Sequence, residues 1–208
     1  MADVSTPAST KTVARQQQIL DAACDCVRRA GFHGASMADI AHAAGLSVGQ
    51  IYRYFENKEA IVAAIVAKDL ADMRAKFAEF ETSGEDVSEA ILKGCSEGLD
   101  RHFDPDRAAL VLEVLAEAAR NPRVAAIVQD ADAVERALGD SLLRHVRELG
   151  CSDAEVKARG EMLSMIFDGM YTRAVNNPNA DRKEIAIVLR SVLRHILLSP
   201  SFKTDEAD

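Results

Sequence analysis

The stretch SMADIAHAAGLSVGQIYRYFENK, residues 36–58, predicts two short helices joined by a tight turn. Ser36 and Asp39 have the spacing of a capping box, in which a hydroxyl and a carboxylate satisfy free backbone N–H groups at the start of a helix. Gly45 can adopt the left-handed conformation that ends a helix, and Ser47 is placed to cap the helix that follows. This order of signals predicts helix, turn, helix.

The second of these helices is predicted to have one apolar side and one polar side. At about 100° per residue, Ile51 and Phe55 fall together, so we expect both to be buried. The opposite side carries no acidic residue before Glu56, so a DNA phosphate backbone can approach it without repulsion. We therefore interpret the stretch as a DNA-binding unit. Its predicted DNA contacts are Ser36, Ser47, Val48, Gly49, Gln50, Tyr52, Arg53, Tyr54 and Lys58.

Side-chain chemistry predicts separate roles for several of these residues. Gln50 has a paired donor and acceptor, which suits the edge of adenine in the major groove. Gly49 lets the helix lie close to the base edges. Tyr52, Tyr54 and Lys58 are predicted to contact phosphates on either side.

The same stretch resembles the DNA-binding signature of the TetR family of bacterial one-component regulators. The resemblance rests on Ser36-x-x-Asp39-Ile40-Ala41-x-x-Ala44-Gly45-Leu46-Ser47-x-Gly49-x-Ile51-Tyr52-x-Tyr54-Phe55-x-Asn57-Lys58. Ser36 stands where that family usually carries threonine, and it keeps the hydroxyl. The resemblance implies an all-α fold of nine helices with three in front. Beyond about residue 70 it is one of architecture, so it implies no particular ligand.

Helix start and stop signals along the rest of the chain also predict an all-α fold of about nine helices. Residues 1–10 have the composition of a flexible tail, and a first helix from Thr12 to Ala30 should end at Gly31. A long fourth helix should follow Asn57 without a breaker before residue 83. Further helices are predicted over about 87–103, 105–120, 122–150, 152–176 and 181–199.

The predicted domains differ in charge. The expected helix-turn-helix domain covers residues 11–58, and the family domain extends to about residue 70 through the start of helix 4. The expected effector-binding and dimerisation domain covers residues 59–208. The net charge is −8 for the whole chain but +1 for residues 1–58, so the remainder carries −9. Double-stranded DNA should therefore meet the N-terminal part only. The sequence has neither an apolar run long enough to span a membrane nor the pattern of a signal peptide. We therefore expect a cytoplasmic protein with no membrane partner.

Three features of the C-terminal part suggest partners. The candidate effector-binding residues are Phe103, Met162, Ile166, Phe167 and Tyr171, although for the three aromatic residues a pocket and plain core stay equally open. Glu113 and Glu117 lie four apart, either as a cation-binding pair or, the favoured interpretation, as a solvated stripe. The last two helices are expected to pack on those of a second copy in a homodimer; alternatively, they close the monomer core.

The sequence predicts no catalytic, metal or cofactor site. The four cysteines, Cys24, Cys26, Cys95 and Cys151, lack a zinc spacing, and the five histidines are dispersed. We predict a homodimeric transcriptional repressor that binds an inverted-repeat operator and is released by a small apolar or amphipathic effector. The alternatives are a ligand-independent DNA-binding regulator and an all-α enzyme or carrier that uses a C-terminal cavity.

Overall fold

A computed structural model describes residues 7–82, 87–143 and 149–201, which form ten helices and no strand. The predicted all-α fold is thereby confirmed. The helices are α1 (Pro7–Gly34), α2 (Met37–Ala43), α3 (Val48–Ile51), α4 (Lys58–Thr82), α5 (Val87–Lys93), α6 (Cys95–His102), α7 (Pro105–Ala118), α8 (Pro122–Leu142), α9 (Asp153–Asn176) and α10 (Arg182–Leu198).

The predicted helix over 87–103 is divided at Gly94 into α5 and α6, which accounts for one helix more than predicted. Gly94 has φ −75° and ψ 0°, outside the regular helical region. Glycine has the weakest helix preference of any residue except proline, so the helix departs from regular geometry here. Hydrogen bonds of 2.9 Å from Gly94 N to Ala90 O and from Gly98 N to Gly94 O continue across it. The division is therefore a local distortion.

Both ends of α1 differ from the prediction in detail. The helix begins at Pro7, so residues 7–10 are helical where a flexible tail was expected, and residues 1–6 lie outside the described part of the chain. Gly31, where the helix was predicted to end, has φ 71° and ψ 169°, but one further turn reaches Gly34. These angles are essentially restricted to glycine. The predicted end of another helix, near Gly150, lies beyond residues 144–148, which are not described.

The chain forms two compact units whose boundaries do not follow the helices. The first unit consists of two segments of the chain, the residues up to Asp69 and Leu110–Gln129. Its main core joins the first three helices to the start of α4, and a second cluster adds the end of α7 and the start of α8. The predicted boundary at residue 58 stays a prediction. The buried residues at the centre of these clusters include Ile19, Ala23, Ile40, Ile51, Phe55, Ile61, Phe32, Val62, Val114 and Val124.

The second unit comprises Leu70–Ala109 and the chain from Asp130 onward. Here α10 contacts α5, α6 and α9, so the last helix is central to this unit. None of the helices in the described ranges is long and apolar enough to cross a membrane. The buried side chains include Leu92, Cys95, Leu99, Leu193 and Leu197.

Candidate nucleic-acid interface

The start of α2 has the predicted capping box. Asp39 N donates to Ser36 Oγ at 3.1 Å, and Ser36 N donates to Asp39 Oδ2 at 3.0 Å. Ser36 Oγ also donates to Asp39 Oδ2 at 2.5 Å. These hydrogen bonds from Ser36 lower the pKa of Asp39, because they favour the charged carboxylate. Both side chains are exposed, but they are engaged with each other at the helix start.

The turn between α2 and α3 has the hydrogen bonds of a Schellman motif. Gly45 has φ 64°, and its N–H donates to His42 O at 3.0 Å. Leu46 N donates to Ala41 O at 2.8 Å, and the Leu46 side chain packs against the core of the first unit. This turn brings Ser47 to the start of α3 and fixes the direction in which that helix leaves.

Ser47 and Gln50 form a second capping box, at the start of α3. Gln50 N donates to Ser47 Oγ at 3.3 Å, while Ser47 N donates to Gln50 Oε1 at 2.8 Å. The Ser47 hydroxyl donates to the same amide oxygen at 3.1 Å. The oxygen of Gln50 is thus occupied within the protein. This geometry differs from the expected adenine contact, which needs both the oxygen and the nitrogen of the amide.

The exposed side of α3 and of the turn after it carries five of the predicted DNA contacts. Val48, Gly49, Gln50, Tyr52 and Arg53 are all exposed, and no acidic residue lies among them. A Cβ added at Gly49 would meet nothing within 4 Å, so this part of the surface is open. Ile51 and Phe55 point the other way into the core, as predicted. The surface combines hydrogen-bond donors with access for a phosphate backbone.

Two other predicted contacts are engaged with the protein itself. Tyr54 is half-buried against the core, because α3 ends at Ile51 and helical spacing no longer describes the residues beyond it. Lys58 Nζ donates to Phe32 O and lies 4.3 Å from the centre of the Phe32 ring. Partial burial lowers the pKa of Lys58. The phosphate contacts predicted for Tyr54 and Lys58 therefore do not match their surroundings.

Glu113 and Glu117 belong to the first unit. Glu113 Oε2 accepts a hydrogen bond of 3.1 Å from Phe32 N. Glu117 is only 1% exposed, and its carboxylate accepts from Arg120 Nε at 2.8 Å and from Asn121 Nδ2 at 2.9 Å. The solvated stripe is therefore wrong for Glu117, and a cation-binding pair is equally inconsistent with a carboxylate whose partners lie in the chain.

His33 is a further contact of Glu117, and we call Glu117, Arg120, Asn121 and His33 the Glu117 cluster. Its Nε2 lies 3.1 Å from Glu117 Oε2, where it donates when it carries a proton, and 3.1 Å from Arg120 Nε. Because an arginine Nε–H only donates, we assign its hydrogen bond to the carboxylate, the stronger acceptor and the closer atom. The spacing of Glu117, Arg120 and Asn121 on neighbouring turns was a local signal for part of this cluster. Nothing in the local pattern indicated His33.

The predicted effector-binding residues do not converge on one pocket. Phe103 and Ile166 line an open groove of about 900 Å³ between α6, α9 and α10 in the second unit. The rings of Phe167 and Tyr171 lie 5.2 Å and 5.0 Å from that of His102. Met162 is 48% exposed. Whether any of these residues binds an effector stays a prediction.

Comparison with known proteins identifies two matching families. Residues 19–65 match the family described as bacterial regulatory proteins, tetR family, and residues 88–198 match the BetI-type transcriptional repressor, C-terminal family. The transcriptional regulator UidR of Escherichia coli is 32% identical over 121 residues, which are 58% of this chain and 60% of UidR. The regulator BetI, also from E. coli, is 26% identical over 186 residues, covering 88% and 92% of the two chains.

Solved structures share the fold. Salmonella enterica GusR has a TM-score of 0.72 at 23% identity and covers 94% of this chain and 99% of its own. Bacillus subtilis FadR, solved in complex with stearoyl-CoA, has a TM-score of 0.72 at 22% identity, with 88% and 97% covered. At these identities the structural likeness concerns the arrangement of helices.

Proposed function

This chain belongs to the TetR family of bacterial regulatory proteins, and from that premise we propose that it is a transcriptional regulator that binds operator DNA through α3. The observation that carries the proposal is the exposed surface of Val48, Gly49, Gln50, Tyr52 and Arg53, which contains no acidic residue. A chain with a net charge of −8 can approach DNA only where its acidic groups are absent. Its site of action would be the bacterial cytoplasm, where the chromosome lies.

The proposed mode of regulation is repression relieved by an apolar or amphipathic effector. The groove between α6, α9 and α10 supports this proposal because its volume of about 900 Å³ is that of a small-molecule site and its floor is mainly apolar. An effector releases DNA only to the extent that it binds the DNA-free arrangement more tightly than the DNA-bound one. FadR, one of the structural relatives, was solved with an amphipathic ligand.

Arg53 tests the DNA-binding proposal. Duplexes selected from a random pool by the full-length protein should share an inverted repeat, and Arg53→Ala should weaken binding to that repeat about tenfold or more. If Arg53 contacts a phosphate, its loss also reduces the dependence of log affinity on log salt by about one unit. The measurement is a fluorescence anisotropy titration at several salt concentrations.

Arg74→Ala is the matched control, because Arg74 is an exposed arginine on α4 and lies in the second unit. It should leave affinity and salt dependence unchanged. Equal affinities for both variants and the wild type would remove Arg53 from the interface. Enrichment of no duplex by the wild type would contradict the proposed function.

A further inference from the structure

The orientation of the Gln50 side-chain amide is determined by the start of α3. Ser47 N donates to Gln50 Oε1 at 2.8 Å, and Ser47 Oγ lies 3.1 Å from the same oxygen. A backbone N–H can only donate a hydrogen bond, so the atom that faces it must be the amide oxygen and not the amide nitrogen. The capping box therefore identifies which end of the Gln50 amide is the oxygen and which is the nitrogen.

The outward end of Gln50 is its Nε2 amino group, which has two N–H donors and no acceptor. Gln50 is exposed, and so are Val48 and Tyr52 on either side of it. Nothing lies within 4 Å of a Cβ added at Gly49, so a base edge can come close to the backbone beside Gln50. At this point α3 presents a pair of donors.

The base edges in the major groove differ in how well they match a pair of donors. Adenine presents one acceptor and one donor, so a glutamine that binds it through two hydrogen bonds must supply its oxygen. Guanine presents two adjacent acceptors, N7 and O6. A side chain that offers only donors therefore matches guanine.

We infer that Gln50 selects a G·C pair in the operator, with the guanine on the contacted strand, and that its capping box with Ser47 disfavours adenine. The inference rests on the proposed function, since it names the base that the same surface selects. To bind adenine through both amide atoms, Gln50 would have to give up at least one of the two hydrogen bonds that its oxygen accepts from Ser47 at the helix start. Guanine can be bound with the capping box intact.

Selection from a random duplex pool tests this inference with the full-length wild type, Gln50→Ala and Gln50→Glu. The alanine variant identifies the contacted position, where base preference should flatten while the other positions keep theirs. At that position the wild type should prefer guanine to adenine by about tenfold. Glutamate keeps an oxygen for Ser47 N–H but replaces the two donors with an acceptor, which matches the amino group of cytosine. Gln50→Glu should therefore invert the pair to C·G.

The alternative outcomes separate the inference from the function on which it rests. Adenine at the identified position, with specific binding retained, would overturn the inference and leave the proposed function intact. A Gln50→Glu variant that still selects guanine, or an alanine variant that flattens no position, would show that Gln50 does not select the base. Enrichment of no duplex by the wild type would refute DNA binding itself, and the inference with it.

Discussion

At the scale of single residues, Glu117 is a buried carboxylate that is held in its charged form. Burial raises the pKa of this carboxyl group, but hydrogen bonds from Asn121 and Arg120 and the nearby charge of His33 outweigh burial. The pKa of Glu117 therefore lies below its ordinary value. A buried charge is tolerated only when it is paired and hydrogen-bonded, so the cluster should contribute to the stability of the first unit.

Replacing Glu117 with glutamine should lower the free energy of unfolding by about 1–3 kcal/mol, because hydrogen bonds to a charged group are lost. Urea unfolding at pH 7, followed by circular dichroism, measures the effect. Glu79→Gln removes the same charge from an exposed position on α4 and should change the free energy by about 0.5 kcal/mol or less. Equal unfolding midpoints for the two variants would contradict the assigned role of Glu117.

The effect of Glu117 should also depend on pH in a defined direction. Its pKa in the folded protein is depressed below the unfolded value of about 4.3, so its stabilising contribution is complete above about pH 5. The contribution is lost as the pH falls through the folded-state pKa. The difference in unfolding free energy between wild type and Glu117→Gln should therefore narrow on acidification from about pH 5. A difference that widens would have the wrong sign.

At the scale of helices, α6, α9 and α10 form the groove proposed to hold the effector. Leu99 and Phe103 contribute from the α6 side, Ile166 from α9, and Ile185 and Leu189 from α10. Phe103, Leu99 and Leu189 are buried, so the floor of the groove is apolar and already packed on the core of the second unit. An apolar chain that fills it would remove further apolar surface from water.

Ile166→Trp should obstruct this groove, because it adds a large ring to a half-buried position on its wall. The measurement is release of labelled operator by a series of straight-chain fatty acids, used as probes of an apolar or amphipathic effector. To shift the equilibrium between the DNA-bound and the DNA-free arrangement from 1:99 to 99:1, a ligand must bind the DNA-free arrangement more tightly by about 5.5 kcal/mol. Since an overpacked site loses about 1–3 kcal/mol, the variant should need about tenfold more ligand.

Met162→Trp provides the matched control on the same helix, one turn earlier, because Met162, although predicted from the sequence to bind the effector, is exposed and does not line the groove. It should keep wild-type sensitivity. If the fatty acids release operator equally well from both variants and from the wild type, the effector binds elsewhere. Release by no member of the series would argue against a fatty acid as the effector.

At the scale of the whole molecule, the second unit leaves apolar side chains of α9 and α10 in water. Met165 is 58% exposed, Val188 62% and Val192 40%. We propose that a second copy of the chain covers these side chains, because a twofold axis through them would remove the same apolar surface from water on both copies. A homodimer through α9 and α10 would present two copies of α3. An inverted-repeat operator needs two such copies, because its half-sites lie about 34–36 Å apart or a multiple of this.

Introducing aspartate at Val188 and Val192 together should disrupt the proposed dimer, because an unpaired charge buried at an interface costs about 3–5 kcal/mol. Sedimentation velocity at micromolar concentration should then show a monomer, and operator binding should weaken. Arg190→Asp, about 200° around α10 from Val188, should remain dimeric. A wild type that sediments as a monomer and still binds the operator tightly would exclude the dimer.

The same residues relate the dimer to the groove. Val188 and Val192 also line its rim, so a second copy seated on α10 would cover part of the opening. The two proposals are compatible if the partner covers the rim while the effector occupies the floor. Met165 lies on the same rim and would be covered with them.

The sequence by itself determined the local features of this protein. The two capping boxes and the left-handed turn at Gly45 depend on contacts between residues three to five positions apart, and the spacing of Ile51 and Phe55 places both on one side of the chain. Such interactions repeat in any chain with the same spacing, because the geometry of the helix imposes them. The family signature lies within residues 36–58, so the sequence alone locates the helix-turn-helix.

Only the tertiary structure decided which polar side chains find partners in distant parts of the chain. Lys58 reaches Phe32 O, 26 positions away, and Glu113 reaches Phe32 N, 81 positions away. Arg159, which is 3% exposed, donates to the carbonyl groups of Ile196, Ser199 and Pro200 at 2.8 Å and thereby satisfies the end of α10. A buried charge must find partners wherever the fold places them, and helical periodicity carries no information about partners on another helix.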